Sequence, residues 1–254
     1  MARERRRLLM APPRLQAAVA ARLLLEAPEQ HYLQRVLRLR PGDGVELIDG
    51  CGGLWQAQLG EGGWLEQLQP VGEQSPPALP QLTLALGLPR RDLELVWRMA
   101  TELGLDRLQP LQAERSQAGG QVPLQRWRSI VREATEQCER LWLPALAEVL
   151  PAQAWLESPH GGPALLATTR RQALPSLEQA LQQVSAADAL RSDPTAIALA
   201  IGPEGGWSPA EEARAEACGW IPVSLGSSIL RSSTAAVAAA SRLCAWRESR
   251  PRNL

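Results

Sequence analysis

The 254-residue chain contains no lysine and no phenylalanine, and only one tyrosine. All 27 basic residues are therefore arginine, and nine tryptophans carry nearly all the aromatic packing. These gaps read as coding bias and imply no activity by themselves. Cysteine is scarce as well. Cys51, Cys138, Cys218 and Cys244 form no CxxC pair and are too few for a disulfide-stapled secreted scaffold. With only His31 and His160 beside them, no familiar zinc spacing exists, so no metal is expected and the thiols are expected to be reduced. No stretch reaches the roughly 18 uncharged apolar residues that a membrane span needs. Arg3 to Arg7 precede an apolar stretch in the outline of a leader, but Pro12, Pro13, Arg14 and Arg22 interrupt it. A cytoplasmic protein with no membrane partner is the expectation. Neither sign of charge is in excess, 27 against 27, so a nucleic-acid surface has to be a local patch rather than a global field.

What is present is a globular composition, 45% hydrophobic and 21% charged. At roughly 150 residues per domain the length suits one large or two small domains. Residues 70–80 are rich in proline and polar side chains and sustain neither helix nor ladder, so residues 73–80 are taken as a linker. Before it, turns at Pro41-Gly42-Asp43-Gly44, Gly50 and Gly60–Gly63 separate Val45–Asp49, Leu54–Leu59 and Trp64–Leu68. Short strands between regular turns predict a small barrel or sandwich over residues 1–72. After the linker, strands alternate with helices. Leu82–Leu88, Ala164–Thr168, Ala196–Ile201 and Ile221–Leu225 are buried-strand candidates. Asp92 is placed to cap a helix that stops at Gly104, and a second helical face runs from Leu124 to Cys138. Residues 81–254 are thus expected to form a parallel α/β sheet with helices on both faces.

The most informative segment joins a strand to a helix. Ala196–Ile201 enters Gly202-Pro203-Glu204-Gly205-Gly206-Trp207, and Ser208-Pro209-Ala210-Glu211 then has capping-box spacing with proline in the first turn. In open α/β sheets ligands lie beyond the carboxyl ends of the strands, where glycine lets backbone approach them closely. The pattern is neither GxGxxG nor a Walker loop. A tight turn without a ligand explains it equally well. The next unit repeats the grammar: Gly226-Ser227-Ser228, then Ile229-Leu230-Arg231, then Ser232 or Ser233 as cap of an alanine-rich helix.

Ile201–Gly206 together with Leu225-Gly226-x-x-Ile229-Leu230-Arg231-x-x-Thr234-Ala235 resemble the paired signatures of the ribosomal RNA small-subunit methyltransferase E family, in the SPOUT superfamily. Thr101–Gly104, Glu114-Arg115-Ser116 and Trp127 to Arg140 resemble its intervening segments. His31 to Arg38 and Gly42 to Gly50 resemble its PUA-like barrel. The resemblance implies a trefoil-knotted α/β domain, a homodimer, and methylation of N3 of a uridine in 16S rRNA, free or in the small ribosomal subunit. It implies S-adenosyl-L-methionine as cofactor, held by Ala167 and Thr168, by Ile201, Gly202, Gly205 and Gly206, and by Leu225, Gly226, Ser227, Ile229 and Leu230. Arg231 is the candidate for stabilising a uracil anion, and Glu204 for removing the proton or bracing the loop. Other readings are a ribose 2′-O methyltransferase of the same superfamily and a catalytically weakened RNA-binding assembly factor.

The chain departs from the family where Ser228 and Ser233 replace an arginine and a glutamate. Losing both members of an ion pair is milder than losing one, because no charge is left alone. Arg5, Arg6 and Arg7 lie in a stretch with a local excess of four positive charges, and Arg35, Arg38 and Arg40 form a second cluster. With Arg115 these are the expected RNA contacts.

Overall fold

The computed structural model describes residues 7–116, 122–188 and 195–250. It divides into two compact units, residues 1–77 with 132–143, and residues 78–131 with 144–254.

In the first unit β1 (Arg7–Leu9) leads to α1 (Pro12–Gln16), β2 (Leu23–Leu24) and α2 (Ala27–His31), which continues as a π-helical turn over Tyr32–Val36. Three longer strands follow, β3 (Gly44–Ile48), β4 (Leu54–Leu59) and β5 (Trp64–Pro70). The sheet order is β1-β3-β4-β5-β2, with no ladder joining β1 to β2 among the described residues. It is a curled half-barrel. Its turns have local causes. Asp49 accepts hydrogen bonds from the N–H groups of Cys51 (2.7 Å) and Gly53 (2.9 Å), which closes the β3–β4 hairpin as an Asx turn. Strand alternation sends Val45 and Leu47 into a core with Leu8, Met10, Leu33, Leu59 and Leu65.

The unit also holds residues 132–143, which lie inside the stretch expected to belong wholly to the larger domain. Leu9 donates its N–H to the Glu136 carboxylate at 2.8 Å, Gly52 donates to the Leu141 carbonyl at 3.0 Å, and the Trp142 indole donates to the Ser75 carbonyl at 3.1 Å. Burial pushes the Glu136 carboxyl above its ordinary range, opposed by the Leu9 N–H and Arg132.

The second unit opens with β6 (Gln81–Gly87), α3 (Leu93–Leu103), β7 (Arg107–Gln112) and α4 (Leu124–Gln137). Short β8 (Ala145–Leu146), β9 (Leu150–Pro151) and α5 (Ala152–Leu156) come next. The chain then alternates through β10 (Ala164–Ala167), α6 (Leu177–Asp188), β11 (Ala196–Ile201), α7 (Pro209–Ala217), β12 (Ile221–Val223) and α8 (Ser232–Ser249). The sheet is parallel, in the order β12-β10-β11-β6-β7-β8, with β9 also paired to β7. Its two faces differ in residue size. Leu82, Leu84, Leu86, Leu165, Ile197, Leu199 and Ile201 point to a layer made with Trp97, Leu181 and Leu243. Ala85, Ala198 and Ala200 point the other way, where Trp155, Trp207 and Trp220 fill the space left by the small side chains. His160 belongs to this second layer, between Trp155 and Trp220 at centroid distances of 4.4 and 4.8 Å. Burial pushes its pKa down.

Three local expectations need correction. Asp92 precedes α3 but is left-handed (φ 66°), and its carboxylate makes no capping bond. Neither Ser232 nor Ser233 caps α8, whose N-cap is Arg231, because the Ser232 hydroxyl donates instead to the Gly202 carbonyl at 2.7 Å. The strand over 221–225 ends at Val223, since Ser224 turns to a different partner. The capping box at Ser208 and Glu211 and the left-handed stop at Gly104 (φ 112°) form as expected.

That turn at Ser224 decides the path of the chain. Consecutive strand residues hydrogen-bond to opposite sides. Val223 accepts from the Thr168 N–H (3.1 Å) on the β10 side, whereas Ser224 donates to Pro175 (2.9 Å) and accepts from Leu177 (3.0 Å). Residues 168–177 therefore bracket the end of β12 on both flanks. The chain leaving this bracket becomes α8, which packs on α3, α6, β6 and β11.

Candidate active site

Because β10 lies between β12 and β11, the loops after these three strands emerge side by side at the carboxyl edge. They carry every residue expected at the cofactor: Ala167 and Thr168, Ile201 to Gly206, and Leu225 to Leu230. The glycine loop is shaped by its own sequence. Gly206 is left-handed at φ 67°, and its N–H closes a turn on the Pro203 carbonyl at 2.8 Å. Close approach fixes Gly87 of the neighbouring strand, where an added Cβ would lie 2.5 Å from Pro203 Cδ.

Other elements hold this loop. Arg115 donates through Nη1 to the carbonyls of Gly205 (3.1 Å) and Trp207 (3.0 Å). The buried Glu211 carboxylate accepts from the Ser208 N–H (2.9 Å) with one oxygen and from the Glu114 N–H (2.9 Å) with the other. Glu204 Oε1 accepts from the Arg90 N–H at 2.9 Å, which ties the loop after β6 to the loop after β11. The Trp207 indole donates to the Ala167 carbonyl at 3.1 Å. Thr168 donates its hydroxyl to Glu212, and Arg171 pairs with Glu216 at 2.6 Å, so the bracket rests on α7.

The third loop has fewer ties. Arg242 of α8 donates to the Leu225 carbonyl at 3.0 Å and pairs with Glu178 at 3.2 Å. Ser224 Oγ accepts from the Gly226 N–H at 3.2 Å. Gly226, Ser227 and Ser228 are exposed, and Ile229 is 66% exposed. An added Cβ at Gly226 or Gly206 would meet nothing within 4 Å. Leu225 and Leu230 pack against the core, while Gly226, Ser227, Ser228 and Ile229 leave the loop open at the carboxyl edge. Arg231, at the rim, is exposed and has no carboxylate partner among the described residues.

Arg242 and Glu212 carry no signal in the sequence that singles them out. Glu211 is legible as half of a capping box, but its second bond, to Glu114, spans 97 positions. Among the expected RNA contacts, Arg35 and Arg38 are exposed and carry no side-chain partner among the described residues. Arg7 is a correction. It pairs with Glu46 (3.1 Å) and Glu139 (3.6 Å), and its side chain is only 14% exposed. The reason is register, since Arg7 stands opposite Glu46 across the β1–β3 ladder. Arg5 and Arg6 lie outside the described residues. Arg115 is exposed but turned onto the glycine loop. Among the described residues no cluster of three His, Cys, Asp or Glu could hold a metal, and no helix is long and apolar enough to cross a membrane.

Comparison with known proteins agrees with this geometry. Residues 76–244 match the family model of an RNA methyltransferase domain, and residues 25–63 match that of an RNA methyltransferase PUA domain. A ribosomal RNA small subunit methyltransferase E of Synechocystis is 42% identical over 249 residues, covering 96% of this chain and 78% of the relative. The Rickettsia conorii protein of that name is 33% identical, covering 82% and 83%. A crystal structure of the Neisseria gonorrhoeae protein of the same name, bound to S-adenosyl methionine, superposes with a TM-score of 0.76 at 26% identity, covering 94% of this chain and 97% of that one. The carboxyl-edge loops, the bracket around β12 and the half-barrel unit thus occur together in a chain that belongs to the ribosomal RNA small subunit methyltransferase E family.

Proposed function

We propose that the chain transfers a methyl group from S-adenosylmethionine to N3 of a uridine in 16S rRNA, in the cytoplasm and as a homodimer. The observation that carries this reading is the adjacency of the three loops at the carboxyl ends of β10, β11 and β12, in a chain whose family acts on small-subunit ribosomal RNA. The reading assigns residues 81–254 to methyl transfer and residues 1–72 to RNA docking, with a threaded path through the 168–177 bracket.

The cofactor supplies a methyl group made electrophilic by its sulfonium. The three loops are proposed to hold it through Ala167, Thr168, Ile201, Gly202, Gly205, Gly206, Leu225, Gly226, Ser227, Ile229 and Leu230, chiefly by backbone groups and apolar contact. Uracil N3 is a poor nucleophile until its proton leaves, so the protein has to favour the anion and orient it. Arg231 is assigned to stabilising that negative charge with its guanidinium group. Glu204 is assigned to bracing, a role its bond from the Arg90 N–H supports. Arg35 and Arg38, with Arg5 and Arg6 upstream, are assigned to RNA phosphates. Arg115 is assigned first to the glycine loop and second to RNA.

Calorimetry with S-adenosylmethionine and a methylation map of rRNA from cells with and without the protein test the proposal. Binding of the cofactor and loss of one uridine N3 mark are expected. Loss of a ribose 2′-O mark would replace the uracil reading with the ribose one, and absence of cofactor binding would favour an assembly factor.

A further inference from the structure

Seven described arginines of the second unit pair with a carboxylate, among them Arg247 with Asp106. Arg98, Arg126, Arg128, Arg171, Arg214 and Arg242 each lie within 4 Å of a carboxylate. Arg90, Arg91, Arg170 and Arg231 do not. All four are exposed, and among the described residues their guanidinium groups have no hydrogen bond or ion pair. They lie together, whereas Arg107, also exposed and without a partner among the described residues, stands at the opposite edge of the sheet. Arg90 and Arg91 follow β6, Arg170 follows β10 and Arg231 follows β12, all at the carboxyl edge. In the sheet order β12-β10-β11-β6, Arg170 stands on one side of the glycine loop and Arg90 and Arg91 on the other, while Arg231 adjoins the loop through the bond of Ser232 to the Gly202 carbonyl.

Arg90 and Arg91 are the best anchored of the four. Pro89 before them is buried, and the Arg90 N–H is bonded to Glu204. The backbone is therefore fixed to the glycine loop while both side chains stay in solvent. Asp92, left-handed and not capping, leaves the first turn of α3 without a side-chain acceptor. A pair of solvated guanidinium groups with no competing carboxylate, on a fixed backbone, is free to engage phosphate oxygens, which the planar fork binds two at a time.

We infer that Arg90 and Arg91 grip the phosphodiester backbone of the RNA beside the target nucleotide. They would complete, on the β6 side, a cationic rim that Arg231 begins at the glycine loop and Arg170 extends beyond it. A row of cations along a sheet edge fits an extended polyanion better than a single phosphate ion. The inference rests on the RNA-methyltransferase reading above.

The test compares Arg90→Gln/Arg91→Gln with Arg107→Gln. Arg107 is an exposed arginine without a partner among the described residues, but it begins β7 and so lies at the opposite edge of the same parallel sheet. Purified 16S rRNA is titrated between 50 and 200 mM salt, and S-adenosylmethionine is titrated by calorimetry. The double variant should lose about 1.4–1.8 from the slope of log K against log salt, and bind rRNA about tenfold more weakly at the low-salt end. Its KM for RNA should rise with kcat largely kept, cofactor affinity should stay within twofold, and Arg107→Gln should match wild type. A double variant with wild-type slope, or with the slope of Arg107→Gln, overturns the inference while leaving the methyltransferase reading intact. Unchanged rRNA binding with slower methylation of intact small subunits would assign the rim to a ribosomal protein and likewise overturn it. Wild-type protein that binds neither cofactor nor rRNA would remove both readings.

Discussion

The loop after β11 and the loop after β12 lie one strand apart and are proposed to serve the same ligand, yet they are held differently. Groups from several elements lock the first: the side chains of Arg115, Glu211 and Ser232, and the Arg90 backbone N–H on the Glu204 carboxylate. The second relies on Arg242 and Ser224, and most of it is exposed. A loop that presents backbone to a ligand gains from being fixed beforehand, because ordering is then not charged against binding. A loop that closes over a ligand needs freedom to admit it. The first loop is a braced floor, and the second is a lightly tied wall.

The largest effect is expected from breaking the floor. Glu211→Ala removes the acceptor of two backbone N–H groups, a buried one at Ser208 and a part-buried one at Glu114, at a cost of about 2–4 kcal/mol. Tm should fall by about 5–10 °C. Cofactor affinity, measured by calorimetry well below that Tm, should drop more than tenfold. A folded variant that still binds normally would show that the floor is not organised by this carboxylate.

A smaller effect is expected at the wall. Arg242→Ala removes the tie to the Leu225 carbonyl and the pair with Glu178 from a partly exposed site. Cofactor Kd should rise about three- to tenfold, near 1 kcal/mol, with Tm within about 2 °C of wild type. Arg242→Lys should recover only part of the affinity, because one ammonium cannot serve carbonyl and carboxylate in the same fork geometry. If Glu211→Ala and Arg242→Ala lowered affinity and Tm in the same proportion, the distinction between floor and wall would collapse.

Which of these features can be read without coordinates depends on how far apart the interacting groups lie in sequence. The glycine loop and the capping box are legible because turn, cap and first helical residues are neighbours, and strand alternation shows the sheet at once. Partners distant in sequence are not. Arg7 reads as a free cation until the β1–β3 register puts Glu46 opposite it. Ser232 reads as a cap until Gly202, thirty residues earlier, takes its hydroxyl. Residues 132–143 read as the continuation of an amphipathic helix, and their place in the first unit depends on bonds to Leu9, Gly52 and Ser75. Asp92 has the right residue type and the wrong backbone angle, which no pattern in the chain announces.

The smallest expected effect sharpens the wall most. Ser228 and Ser233 stand where the family carries arginine and glutamate, and the two sites lie on the exposed loop and in the first turn of α8. Restoring both charges should add an exposed ion pair, about 0.2–1 kcal/mol, and draw the wall inward. Ser233→Glu alone should gain a few tenths of a kcal/mol in stability, since a carboxylate in the first turn of a helix meets the positive end of its dipole. Ser228→Arg alone should leave cofactor affinity unchanged. The double variant should then bind cofactor about two- to threefold more tightly than the singles predict, a coupling that a double-mutant cycle by calorimetry isolates. Strict additivity would mean the two positions do not brace one another. If Ser228→Arg alone also raised the affinity for 16S rRNA, the missing arginine would belong with the cationic rim, and the wall would be a substrate surface as much as a cofactor lid.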